Sequence, residues 1–276
     1  MGRPLAIIMS IAIVGAMIGV ANPVEASEVS IPGLSKIKKL INKNKKVKIE
    51  NENSDRVEES ETDSKESKKN KKKEKKAPKK IINPKEIEKA AEFASEKTGV
   101  RKDFLMGMLT VESDLGRKTG ECTYKEVREG AEEAHKNGEL SQRAWNTFEE
   151  RKRVIKDLAE DLGYDADQLK VSCNPTNYAG TGGALGVPQF MPDIWMIYKD
   201  EIAAIVGKEN PDPWDARDGV VAMALLLGDT AGVTEHNYYA ERNAAKMYLS
   251  GTTSELYGWY ADQALYWSRN YKELLG

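Results

Sequence analysis

The spacing of apolar positions divides the chain into unlike stretches. Leu5 to Ala21 is an almost unbroken apolar run, interrupted by Ser10 and a few glycines. Ile31, Leu34, Ile37, Leu40 and Ile41 then recur at near-helical spacing among Lys36, Lys38, Lys39 and Lys43. That pattern suits a short amphipathic helix on a membrane surface, with a thin apolar face. Ser64 to Lys80 reads SKESKKNKKKEKKAPKK and offers nothing that a core could bury. Such composition cannot offset its own ordering entropy, so 27–82 is expected to be a disordered, Lys-rich linker.

From Asn83 onward the period becomes helical. Asn83, Pro84 and Glu86 fit a cap, a first-turn proline and a capping box. Ile87, Ala90, Ala91 and Ala94 share one face, and Gly99 supplies the stop. A second helix is expected over 103–113, burying Phe104, Leu105, Met108, Leu109 and Val111. Similar periodicity predicts helices near 124–137, 141–162, 193–206, 214–228, 238–249 and 259–274. Asp212, Pro213, Trp214 and Asp215 read as cap, proline and acidic first turn. No alternating apolar run bounded by turn signals argues for a sheet. The expected fold is all-α, in one domain at 83–276. A long loop at 171–189, bearing Gly180, Gly182, Gly183 and Gly186, interrupts it, and long loops in compact domains are often functional. Trp195, Trp214, Trp259, Trp267 and Tyr266 fit helix faces and are assigned to the core.

Charge changes this picture. The chain carries 42 Lys+Arg against 44 Asp+Glu, with two His and two Cys. Residues 27–80 hold 18 basic and 10 acidic side chains, net +8, whereas 81–276 hold 23 and 33, net −10. An acidic domain repels phosphates, which excludes nucleic acid as its partner. So few His and Cys argue against structural zinc, and Asp165 and Asp167 lack the Gly and terminal Glu of a calcium loop. No metal or cofactor is expected. Arg3, the apolar run and Val24-Glu25-Ala26 form an export signal, either cut after Ala26 or retained as a membrane anchor through residues 5–21. The protein is thus expected outside the cytoplasm, where Cys122 and Cys173 favour a disulfide over free thiols. Closing a loop of about 50 residues contributes roughly 4 kcal/mol on the chain-entropy model. The linker lysines either hold the chain to anionic membrane or wall polymers or act as a solvated spacer.

Glu112 is the first candidate for chemistry. It closes an apolar helix, where the negative dipole end and partial burial both favour the protonated carboxyl. A proton donor to a glycosidic oxygen needs that shift. The stretches MLTVESDLG (108–116), GGALGVPQFMP (182–192) and KMYLSG (246–251) resemble, in order and approximate spacing, the lytic murein transglycosylases of the lysozyme-like superfamily. The nearest branch is the membrane-bound B-type, and the match runs from about Ile87 to the end. The resemblance implies a lysozyme-like helical domain with Glu112 catalytic and Ser113 close by. It also implies a sugar-binding loop around Gly186, Gln189 and Phe190, and a hydroxyl at Tyr248 over the cleavage site. Tyr178, in the glycine-rich loop, is a candidate for stacking on a sugar. Two departures stand out: Gly186-Val187-Pro188-Gln189 replaces GPAQ, and Tyr248-Leu249-Ser250-Gly251 replaces Y-N-x-G.

Most glycosidases pair a proton donor with a second carboxylate. Here Asp114 would not share a helix face with Glu112, and Asp193, Asp215 and Asp218 sit at expected helix starts, where capping explains them. One-carboxylate chemistry fits, as the resemblance implies. Its substrate would be peptidoglycan glycan strands, cut between N-acetylmuramic acid and N-acetylglucosamine to leave 1,6-anhydro ends, by a monomer. A lysozyme-type hydrolase using water, a non-catalytic wall-binding module and a tethered scaffold are the competing readings.

Overall fold

The computed structural model describes Pro78, residues 83–175 and residues 182–275. The export signal, the linker apart from Pro78, its amphipathic stretch, Tyr178 and Gly180 therefore lie outside the described residues. No helix among the described residues is long and apolar enough to cross a membrane.

Helix α1 (Pro84–Thr98) starts and stops where its sequence signals stand. The Asn83 side chain accepts from the Lys85 amide at 3.0 Å, and Gly99 closes the helix with φ 78°. The expected capping box is replaced by this single bond. A box does form at the start of the helix Tyr124–Lys136, where Thr123 and Glu126 bond reciprocally. Ile87, Ala90, Ala91 and Ala94 are buried as expected. Helix α2 (Lys102–Ser113) is buried on every side from Phe104 to Thr110, beyond the one-faced burial its period predicts. Gly107 explains how. A Cβ there would collide with the Ala264 carbonyl and lie 2.7 Å from the Ser268 amide, so its absence lets another backbone cross closely.

The remaining helices are α3 (Tyr124–Lys136), α4 (Gln142–Leu162), α5 (Pro192–Val206), α6 (Ala216–Gly228), α7 (Tyr238–Ser250) and α8 (Gly258–Asn270). Short 3-10 turns stand at Ala166–Gln168, Glu255–Tyr257 and Tyr271–Leu274. α2 packs chiefly on α8, α1 on α6, and α7 on α8. The only strands among the described residues are two-residue pieces, β1 (Cys122–Thr123) and β2 (Lys170–Val171), paired antiparallel. Cys122 and Cys173 are bridged, with Cα atoms 5.1 Å apart.

Some expectations need correction. α6 begins at Ala216 with Asp215 as its cap, because Asp212 instead accepts from the Trp214 amide at 2.9 Å and the Tyr164 hydroxyl at 2.6 Å. Trp195 and Trp214 are core residues, but Trp259 and Tyr266 are about half exposed. Both lie seven residues apart on the outer side of α8, opposite Ala261, Ala264 and Leu265.

Candidate active site

Past Glu112 the chain must leave α2 abruptly. Asp114, Leu115 and Gly116 do so in successive left-handed conformations, φ 51°, 53° and 82°. The amides of Asp114 and Leu115 donate to the last α2 carbonyls, at 3.0 and 3.2 Å. Ser113 is consumed by this ending. Its hydroxyl, buried, donates to the Leu109 carbonyl at 3.2 Å and accepts from the Gly116 amide at 3.1 Å. The structure thus places Ser113 beside Glu112 as part of the helix stop.

The Glu112 side chain is enclosed from α8 and α7. Tyr260 donates its hydroxyl to Glu112 Oε1, and Tyr248 lies close enough that the Glu112 charge opposes its ionisation. Burial pushes the Glu112 carboxyl up to about 7, with the Tyr260 hydrogen bond pulling the other way. Burial, and then the charge of Glu112, keeps both tyrosines well above their ordinary value, so they remain hydrogen-bond donors. A carboxyl poised near neutrality can both give and take a proton. Tyr260 is not among the candidates that the sequence motifs mark. Its signal was available: Gly258, Ala261, Ala264, Leu265 and Ser268 define a buried α8 face that includes Tyr260. A buried tyrosine hydroxyl needs a partner.

The loop from Leu185 to Phe190 is a tight reversal, closed by Leu185 and Phe190 exchanging backbone bonds at 2.8 and 3.0 Å. Gly186, at φ 61°, lies where a Cβ would strike the Pro213 carbonyl. Its part is to let the loop sit there. Gln189 has φ 53° and turns its amide back to donate to the Gly186 carbonyl at 2.8 Å. Tyr248 donates to the Pro188 carbonyl at 2.5 Å, tying this loop to α7. Phe190 is buried, edge-on to Trp195, Tyr198 and Tyr248 with centroids 6.1–6.4 Å apart. It anchors the loop in the core.

A cavity of about 230 Å³ adjoins the loop, with Arg151, Gln189, Phe190, Asp193, Tyr248 and Ser250 among its walls. Glu112 is not in that wall; Tyr248 is the residue common to both surroundings. The other carboxylates weighed as partners are all engaged. Asp114 holds Arg117 at 3.0 Å, and Asp193 holds Arg151 at 2.8 and 3.1 Å. Asp215 caps α6 through the Arg217 and Asp218 amides. Asp218, fully buried, binds Lys208 at 2.9 and 2.7 Å and the Asp212 amide at 2.8 Å. Among the described residues no three His, Cys, Asp or Glu side chains are grouped to hold a metal ion.

No family model matches the chain, and no curated protein matches it. Solved structures similar to it include a 36 kDa muramidase/transglycosylase, at 22% identity and TM-score 0.39, covering 55% of this chain and 47% of that one. The Escherichia coli lytic transglycosylase SLT35 in complex with bulgecin A is 21% identical, with TM-score 0.38 and coverage of 55% and 46%. Soluble lytic transglycosylase SltB1 from Pseudomonas aeruginosa is 21% identical, with TM-score 0.38 and coverage of 72% and 62%. The chain spans about half the length of the first two.

Proposed function

We propose that the protein is a peptidoglycan lytic transglycosylase in which Glu112 acts first as acid and then as base. One arrangement carries the reading: a single carboxyl, partly buried, bonded by the Tyr260 hydroxyl and close to Tyr248, is pushed up to about 7 by burial, while every other weighed carboxylate is held by a charged or backbone partner. The resemblance of the three motif stretches to that family points the same way. Protonated Glu112 gives its proton to the glycosidic oxygen between N-acetylmuramic acid and N-acetylglucosamine, and the C1–O bond breaks. The carboxylate left behind takes the proton of the muramic acid C6 hydroxyl, whose oxygen bonds to C1 and closes the 1,6-anhydro ring. Tyr260 steadies the carboxylate form between the two transfers. Gln189 and Tyr248, on the cavity wall, would contact the sugar; Gly186, Ser113 and Phe190 act by shaping the backbone around it.

Mass spectrometry of digested peptidoglycan tests this reading. Anhydro ends support it, reducing ends identify a hydrolase using water, and intact glycan leaves a binding module. An exported enzyme would meet this substrate in the wall. The net +8 of residues 27–80 would then draw it to anionic polymers. Residues 27–276 should outbind 83–276 on purified walls at low salt and lose the difference as salt rises; equal binding reduces the lysines to a spacer.

A further inference from the structure

The two tyrosines around Glu112 come from different helices, and the segment joining those helices is held by a charged cluster with no role above. Glu255, in the 3-10 turn before α8, accepts from Arg242 Nη1 at 2.9 and 2.7 Å and from Lys246 Nζ at 2.7 Å. Arg242 also donates to Asp262, on α8, at 2.8 and 3.4 Å. Gly258 stands where a Cβ would lie 2.6 Å from Arg242 Nη2, so the start of α8 is pressed onto the guanidinium. An exposed ion pair is usually worth little. Here Glu255 is exposed but Lys246 is only 2% exposed, and among the described residues Glu255 is its one charged partner. Removing Glu255 strands a buried ammonium two residues before Tyr248.

We propose that Glu255 is a positioning residue: through Arg242 and Lys246 it clamps the 251–258 turn so that Tyr248 on α7 and Tyr260 on α8 converge on Glu112. Without the clamp the start of α8 is released from α7, and the Tyr260 hydroxyl leaves the carboxyl. This inference rests on the reading of Glu112 as acid and base, but its geometry can be tested without turnover.

The experiment titrates the Glu112 carboxyl carbon by NMR in the wild type, Glu255→Ala, Tyr260→Phe and the double variant. Tyr260→Phe removes the bond that lowers the Glu112 value, so its titration should move to higher pH. Glu255→Ala should move it the same way, and the double variant should go no further than Tyr260→Phe alone. An unchanged or lowered titration in Glu255→Ala, or additive shifts, overturns the clamp. Pairing Lys246→Met with Glu255→Leu removes the stranded charge; the clamp then remains absent, so kcat should stay down about tenfold even though the fold is restored. Wild-type rates in that pair would also overturn it. If the wild-type protein leaves peptidoglycan uncut, the functional reading fails while the titrations still decide the clamp.

Discussion

Two parts of the domain are built in opposite ways. The body around α2 is a closed apolar packing, with Phe104 to Thr110 buried on all sides and α8 crossing at Gly107. The α3–α4 hairpin is a charged arm whose tip has a separate small cluster, Ala131, Leu140 and Phe148, with Trp145 stacked on His135 at 4.0 Å. Only the base of the arm, through Tyr124, Val127, Ile155 and Leu158, enters the main core. The disulfide sits at that base. The proton transfers proposed for Glu112 would require fixed atoms, and Glu112 stands at the end of the stiff part. The arm contributes Arg151 to the cavity from near its base, where the Ile155 and Leu158 packing and the Asp193 ion pair hold it.

The largest expected effect breaks the chemistry and leaves both parts folded. Glu112→Gln keeps the shape and loses the exchangeable proton, so peptidoglycan cleavage should fall by about a hundredfold or more with an unchanged melting curve. Residual activity above about a tenth would remove Glu112 as the acid and base.

Gly107→Ala breaks the stiff part itself. The new methyl has only the Ala264 and Ser268 backbone to move against. A loss of about 3 kcal/mol in denaturant unfolding is expected, with reduced activity as α8 shifts and carries Tyr260 away. A change under about 0.5 kcal/mol would show that the crossing is loose.

Cys122→Ser with Cys173→Ser tests the other side. The loop it frees, with a sequence separation of 51, should cost about 2–4 kcal/mol. Hydrogen exchange should accelerate in α3 and the tip of α4 while α2 amides keep their protection. Equal acceleration in both would erase the distinction between them.

The smallest effect is a displacement in pH. On the proposed mechanism Glu112 must be protonated to begin the reaction, so kcat/KM should decline as pH rises through about 7. In Tyr260→Phe that decline should move to higher pH. Stability follows the same group. Its native value lies above the ordinary 4.5, so the native state holds a proton that the unfolded chain releases. That contribution is complete below about 4.5 and is lost as pH rises through about 7. A Glu112→Gln variant should lack this slope.

The helices were legible because their ends are chemically marked: Asn83 and Gly99 bound α1, and Gly207 and Gly251 close α5 and α7 with φ 71° each. Ambiguity arose where markers crowd, as at Asp212 and Asp215, because only the Tyr164 and Trp214 contacts decide which aspartate caps. Trp259 and Tyr266 fit a helix face by their spacing, but it is the exposed one, because the small residues Ala261 and Ala264 mark the buried side of α8. Within the site, the motif stretches drew attention to Glu112, Gln189, Phe190 and Tyr248, but the bond from Tyr260 spans 148 residues. No local period encodes a contact of that range.

Gln189 has a consequence for anyone redesigning this protein. A non-glycine residue at φ 53° costs on the order of 1 kcal/mol, and its amide spends that strain facing the Gly186 carbonyl and the cavity. A screen that rewards heat tolerance alone would therefore favour Gln189→Gly or Gln189→Asn, since both residues accept a left-handed backbone. The glycine would discard the amide, and the asparagine would keep it on a shorter stem. Selection for durability and selection for turnover would thus pull this position in different directions, and a library meant to improve both should hold it fixed.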